Sequence, residues 1–384
     1  MSTEATSGVK PFRFSGNGGE FFRIWIVNLL LTIVTLGIYS AWAKVRTNRY
    51  FYGNTHFDGA NFEYHATPIQ ILKGRIIAVI ALLIVVALNE VFPIAGLVAT
   101  LVVMFAAPWI IWSSLRFNAR MASYRNVRFG FEGGVWPVYK YLLILPLAPL
   151  VLIGAVAAGL YYLGFGQIAV SIAMSLAVLA TYLMIPYVQA VFQHYYINGC
   201  RFGQGEFKAD IRASFFYITY LKLVGISVLL LVGLLLLLEV LGAGFRTATV
   251  DPITALLALG PIMFVVVIGM MCFGIWSKAY YQSKIRNYLM NQTSLDDAVQ
   301  MHSEMTAGSL FKLQLVNMLL MLVSLGLAYP WIKVRQARYS ADTLVPRVTG
   351  DLGQYVSMQQ QKQSALADEL GEAFDVDADL GLSI

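Results

Sequence analysis

Apolar stretches close to or longer than the roughly 20 residues an α-helix needs to cross a bilayer core recur along the whole chain. Between them lie connectors that mix aromatic residues, glycine and cations. A soluble fold cannot cover that much contiguous apolar surface, so the pattern predicts a polytopic membrane protein, mainly α. Composition agrees where it bears on the point. Charged residues make up 12% of the chain, about half the usual share of a soluble domain. The net charge of +6 would suit nucleic acid in a soluble protein. In a membrane chain Lys and Arg gather on the cytoplasmic side, so nucleic acid is not an expected partner. Cys200 and Cys272 stand far apart with no metal-ligand spacing, which predicts neither a disulfide framework nor a zinc site. The opening MSTEATSGVK lacks the plan of a cleaved signal, so insertion is expected to rest on an internal segment.

Four of the apolar runs close on the same ladder. Trp42, Arg46, Tyr50 and Asn54 follow one another at helical spacing. So do Trp112, Arg116, Arg120 and Tyr124; then Trp276, Tyr280, Lys284 and Tyr288; then Trp331, Arg335 and Tyr339. An aromatic residue at the end of an apolar run, with cations one and two turns on, marks the water boundary of a membrane helix. Apolar pairs are expected at about 76–92 with 94–115, 138–163 with 167–193, and 215–241 with 253–276. The connectors PFRFSGNGGE, NTHFDGANFEYHATP (turn at Asp58-Gly59), NVRFGFEGG and NGCRFGQGEFKADIR read as short strands.

The first and last apolar runs align without a gap. Asn28 meets Asn317, Leu36-Gly37 meets Leu325-Gly326, Trp42 meets Trp331, and Lys44-Val45-Arg46 meets Lys333-Val334-Arg335. In the middle, Asn54 precedes Phe57, Asn126 precedes Phe129, and Asn198 precedes Phe202. This suggests five internal repeats, at about 11–58, 59–130, 131–203, 204–296 and 297–350, in one integral membrane domain over 1–350. An acidic, flexible tail over 351–384 would follow. Two topologies compete. If the first and last runs cross, there are eight spans, and the equivalent ladders end on opposite sides. If both are re-entrant helical hairpins folded at their Leu-Gly pairs, six transmembrane helices in three hairpins remain and the short strands are cytoplasmic. Both termini then lie inside, and every Lys and Arg except Arg246 faces the cytoplasm, which favours this topology.

The wording FRFSGNGGEFF, TLGIYSAWAKVRTNRYF and the following GNT, from Phe12 to about Arg75, resembles the bacterial YjgN-like inner-membrane proteins, grouped as a domain of unknown function. The shared connectors and the closing GEAFDVDADLGL extend the resemblance along the chain. It implies a bacterial inner-membrane location and carries no catalytic residues with it.

Candidate residues are few. Glu90 and Glu239 are the acids nearest hydrocarbon, either a coupling pair or solvated helix ends. Asn28 and Asn317 either line a polar path or bond a neighbouring helix. Arg46, Arg49, Arg116, Arg120, Lys284, Arg335 and Arg338 either hold anionic lipid headgroups or an anionic solute, or simply snorkel. Pro108, Pro186 and Pro330 each precede Trp or Tyr and are expected to bend their helices. His56, His65, His194 and His302 show no metal spacing, and no GxSxG, Walker loop or Cys–His pattern appears, so neither a metal, a cofactor nor an enzyme is expected. Two functions remain: a non-catalytic transporter or channel-like protein for a small solute, ion or lipid, and a membrane scaffold whose protein partner meets the strands and the acidic tail. The sequence leaves the oligomeric state open.

Overall fold

The computed structural model describes residues 8–247 and 252–379, with side chains left out at 241–247, 252, 254–259 and 366–379. Two helices come first, α1 (Gly18–Val34) and α2 (Ser40–Gly53). Six stretches long and apolar enough to cross a membrane follow. They are α3 (Pro68–Val91), α4 (Pro93–Arg120), α5 (Val135–Tyr139) running through a π turn into α6 (Leu145–Tyr162), α7 (Gly166–Gly199), Ala213–Val240 of α8 (Ala213–Thr247), and Gly260–Gln292 of α9 (Pro252–Gln292). At most 11% of each apolar window is buried inside the protein, so lipid rather than neighbouring helices must cover the rest. α10 (Ala307–Val323), α11 (Tyr329–Asp342) and α12 (Leu352–Asp379) complete the chain.

Local chemistry sets the helix limits. Thr67 and Gln70 form a capping box ahead of α3, whose first residue is Pro68. α3 ends at Phe92, and Pro93 opens α4, against which α3 packs. Gly164 and Gly166, both at positive φ, make the bend that lets α6 and α7 pack together.

The chain divides into two compact units. One comprises Arg212–Tyr288 and Met305–Ala328. The other comprises Met1–Ile211, Leu289–Glu304 and Tyr329–Ile384, and holds every strand among the described residues. These are β1 (Gly8–Val9), β2 (Arg13–Phe14), β3 (Thr55–Phe57), β4 (Ala60–Tyr64), β5 (Ala122–Tyr124), β6 (Val127–Phe131), β7 (Cys200–Phe202), β8 (Gly205–Ala209), β9 (Thr293–Leu295), β10 (Val299–Gln300) and β11 (Arg347–Val348). The sheet order is β1-β11-β10-β9-β8-β7-β6-β5-β4-β3-β2.

The two ends of that order, β1 and β2, belong to one extended segment, Gly8–Phe14. Gly8 and Val9 pair with β11, and Arg13 and Phe14 pair with β3. Between them Lys10 N–H donates to Pro346 O at 3.0 Å and Phe12 N–H to Leu344 O at 3.1 Å. The sheet therefore closes on itself, and no strand of two to five residues is left with an open edge.

Tight turns feed this ring. Asp58-Gly59 and Arg125-Asn126 both take positive φ, as a two-residue hairpin turn requires. The last residue before each of four turns points inward: Phe57, Tyr124, Phe202 and Leu295 are buried with Val127, Val299 and Val348. Aromatic contacts run round the ring from Phe12–Phe57 at 4.6 Å through Phe62–Tyr124 at 4.9 Å to Phe129–Phe202 at 5.1 Å. Polar latches join the turns. Lys10 meets Asp58 at 2.7 Å, Arg125 meets the same carboxylate at 3.2 Å, and Glu206 N–H donates to Asp296 Oδ1 at 2.9 Å.

Two expectations need correction. Asn126 is not the counterpart of Asn54 and Asn198. Those two stand ahead of β3 and β7, whereas Asn126 sits inside the β5–β6 turn at φ 65°, where asparagine is tolerated for its own reason. The second ladder is helical only to Arg120, and Tyr124 lies in β5. The segment after Asp351 starts as helix α12, with Leu352, Val356 and Gln359 buried on one helical face. Its acidic side chains from 366 on, like Arg246, lie outside the described side chains.

The ring core predicts a pH response. Burial pushes the Tyr124 phenol from 10.0 up to about 12. Its hydroxyl donates to Phe57 O at 2.7 Å. A raised folded-state pKa gives stability that is full below the ordinary value and is lost as pH climbs through the raised one. Unfolding followed in detergent against pH should show the ring weakening between pH 10.0 and about 12. Tyr124→Phe should be less stable by about 1 kcal/mol at neutral pH, and the order should reverse at the alkaline end, where only the tyrosine protein loses stability.

Candidate functional site

The short helices α1 and α10 each bury an amide side chain without a hydrogen-bond partner. α1 starts on Asn17, whose side chain accepts from Gly19 N–H at 2.7 Å. Its buried face bears Phe21 and, two turns on, Asn28. Phe21 packs with Phe14, Val334 and Ala341, which ties α1 to α11 and to the ring. Phe22 meets the Trp331 ring at 5.1 Å and Trp25 meets Tyr329 at 5.9 Å. Gly18 faces the Trp331 ring so closely that a Cβ could not be added there without moving it.

α1 then stops abruptly. Gly37 N–H donates to Thr32 O at 2.8 Å and Leu36 N–H to Ile33 O at 3.1 Å, the two bonds of a Schellman cap. Leu36 takes φ 49° and Gly37 φ 92°. Ser40 opens α2, and the Arg75 guanidinium of α3 donates to the Ser40 hydroxyl. In the other unit α10 ends the same way: Gly326 N–H donates to Met321 O at 2.9 Å and Leu325 N–H to Leu322 O at 3.2 Å, with Leu325 at φ 49°. The tip leucines are 94% and 93% exposed.

Asn28 and Asn317 are 4% and 5% exposed, and neither oxygen nor nitrogen of either amide has a hydrogen-bond partner. Thr32 Oγ1 donates to the Asn28 backbone carbonyl at 2.6 Å and leaves the side chain untouched. An unpaired buried amide costs about 1–3 kcal/mol.

The remaining candidates are spread over separate helices. Arg49 donates to Ala66 O at 3.3 Å and Arg338 to Gly16 O at 3.0 Å. Arg116 lies 4.7 Å from the Trp112 ring and Lys284 5.9 Å from that of Tyr280. Arg46 and Arg120 are exposed and Arg335 is half-buried. Glu90 and Glu239 are exposed, Glu90 just before the break at Phe92. Pro108, Pro186 and Pro330 are all buried. His65 Nε2 meets Ser123 Oγ at 2.7 Å, and His56 Nε2 meets Ser15 Oγ at 2.9 Å. Among the described residues no group of His, Cys, Asp and Glu could hold a metal ion. Burial pushes the Cys200 thiol up to about 11, which keeps it unreactive.

Sequence reasoning missed a repeated tyrosine latch. The Tyr50 hydroxyl donates to Asn17 O at 2.8 Å, that of Tyr195 bonds Gly134 O at 2.5 Å, and Arg212 N–H donates to the Tyr288 hydroxyl at 2.8 Å. Each tyrosine ties the end of a helix to the backbone at the start of an earlier one. The signal was present: the three stand at the same offset before Phe57, Phe202 and Leu295, with Phe117 at that offset before Tyr124.

Residues 9–373 match a family described as bacterial protein of unknown function (DUF898). The chain belongs to this family. It is 27% identical over 364 residues to inner membrane protein YjgN of Salmonella typhimurium, covering 88% of each chain. It is 25% identical over 368 residues to the protein of the same name from Escherichia coli O157:H7, covering 92% of each. No solved structure matches the chain. With its six apolar helices, this family member is a multi-pass inner-membrane protein.

The two amides predict the same effect. In protein stripped of bound solute or lipid, Asn28→Leu and Asn317→Leu remove polar groups that bond nothing, so each should raise unfolding stability in detergent by about 1–3 kcal/mol. A drop in the thermal midpoint would mean that each amide is already satisfied.

Proposed function

We propose that the protein is a non-catalytic transporter or channel-like protein that handles a small polar solute, ion or lipid. The observation that carries this reading is the pair of buried, unbonded amides, Asn28 and Asn317, in two short broken helices. At 17 residues, or about 25 Å, α1 and α10 fall short of a bilayer crossing. We read α1–α2 and α10–α11 as re-entrant hairpins whose leucine tips sit in hydrocarbon. The six long helices then cross as three hairpins, five related repeats each contribute to the ring, and both termini lie in the cytoplasm. Broken segments in symmetry-related positions line substrate sites in other transporters. Arg46, Arg120 and Arg335 supply cationic character at the inner boundary, suited to anionic headgroups or an anionic solute.

The rival reading, a membrane scaffold, draws on α12 continuing as helix to Asp379, past Gln359, the last buried one among its described side chains. It would offer a partner the strand ring and the acidic tail.

Reporter fusions at Met1 and after Arg347 should both report cytoplasmic ends, and a periplasmic signal at either would refute the re-entrant topology. Native mass spectra of the purified protein should show a bound small molecule or lipid that is lost from Asn28→Leu and Arg46→Ala. Protein partners that vanish when residues after Asp351 are removed, with no bound small molecule, would turn the assignment to the scaffold.

A further inference from the structure

We propose that α12 is a removable plug of the strand ring. With β1 and β2 counted as the single segment they form, ten strands close the sheet. About eight strands already give an interior that side chains just fill, so a ring of ten has room to spare. Its own inward residues, among them Phe57, Tyr124, Phe202 and Leu295, do not complete the core. Leu352 and Val356 of α12 belong to the same buried cluster.

The helix lies across the turns. The Tyr355 hydroxyl donates to Asp296 Oδ2 at 2.7 Å, in the β9–β10 turn. Gln359 Oε1 accepts from Gln204 N–H at 2.9 Å, in the β7–β8 turn, and Gln360 Nε2 donates to Arg125 O at 2.6 Å, in the β5–β6 turn. Gly205 leaves space for this: a Cβ there would run into the Tyr355 hydroxyl. Gln359 is 1% exposed, so a glutamine stands at the bottom of the plug where an apolar residue would pack as well. A polar group so placed fixes register on the turn.

The attachment is built to come away. Among the described residues no ion pair holds α12 to the ring, and the helix binds through two aliphatic side chains, the Tyr355 ring stacked on Phe202 at 6.5 Å, and three hydrogen bonds. α12 takes no part in the strand ladder, so it can leave without breaking any strand pairing. With α12 away, the ring centre at Val127 and Val299 faces water, and the lumen is open through the turn end.

The test is thiol labelling in detergent micelles. Val127, 0% exposed, is replaced in the full chain by Val127→Cys, with Cys200→Ala and Cys272→Ala removing the native thiols. A water-soluble maleimide should label this protein slowly. Adding Val356→Asp, or separately Gln359→Ala, should speed labelling by about tenfold or more, because each lowers the cost of local opening. A synthetic peptide of residues 351–365 should restore the slow rate, which a misfolded variant could not do. Equal rates in all proteins, rapid labelling with α12 unaltered, or an acceleration that the peptide does not reverse would each overturn the proposal. The assay reads no solute, so its failure would leave the transport reading standing, and the reverse also holds.

Discussion

Everything in the strand-bearing unit depends on one segment serving two neighbours. Gly8–Phe14 gives its first half to β11 and its second half to β3, so the beginning and the end of the chain are bound into one sheet. No strand there is longer than five residues, and a lone hairpin of that length is marginal in water. Closure changes the arithmetic. Each hairpin gains two partners, no edge is left to recruit another chain, and the aromatic side chains from Phe12 to Phe202 pack on one another around the interior. Helices that live in lipid are thereby fastened at one end to a structure held together by the rules of a soluble core.

The helices need that fastening because lipid gives them little reason to choose particular neighbours. Apolar surface facing hydrocarbon gains nothing by turning inward. The tyrosine latches at Tyr50, Tyr195 and Tyr288 supply a fixed reference instead, each joining a helix end to backbone near the start of an earlier helix. Arg75, reaching the Ser40 hydroxyl where α2 begins, pins the first helix break to a membrane-length helix. Function, on the reading given above, draws on the places where these rules are relaxed: two amides without partners and two helices that stop short.

What could be read from the sequence was local. The break at Leu36-Gly37, its counterpart at Leu325-Gly326 and the turn at Asp58-Gly59 each follow from residues a few positions apart, and each is where it was expected. Ring closure joins Gly8 to Val348, and no local pattern announces a pairing at that separation. Asn126 misled because asparagine suits both a helix end and a left-handed turn, and only strand register separates the two. The buried face of α12 was hidden by composition: Leu352, Val356 and Gln359 are outnumbered by polar neighbours, and the acidic run that follows drew attention away from them. The amides Asn28 and Asn317 were found by alignment of the two runs, but that nothing bonds them emerges only in three dimensions.

The two leucines at the helix breaks carry a last consequence. Left-handed backbone costs a residue with a side chain roughly 1–2 kcal/mol, and glycine would avoid that cost at Leu36 and Leu325. In water, an almost wholly exposed leucine would offer nothing in return. In hydrocarbon the same side chain gains what the backbone loses. On the re-entrant reading proposed above, the choice of residue makes the surrounding medium part of the folding code, and these two bends should be among the first places to fray when the lipid is stripped away.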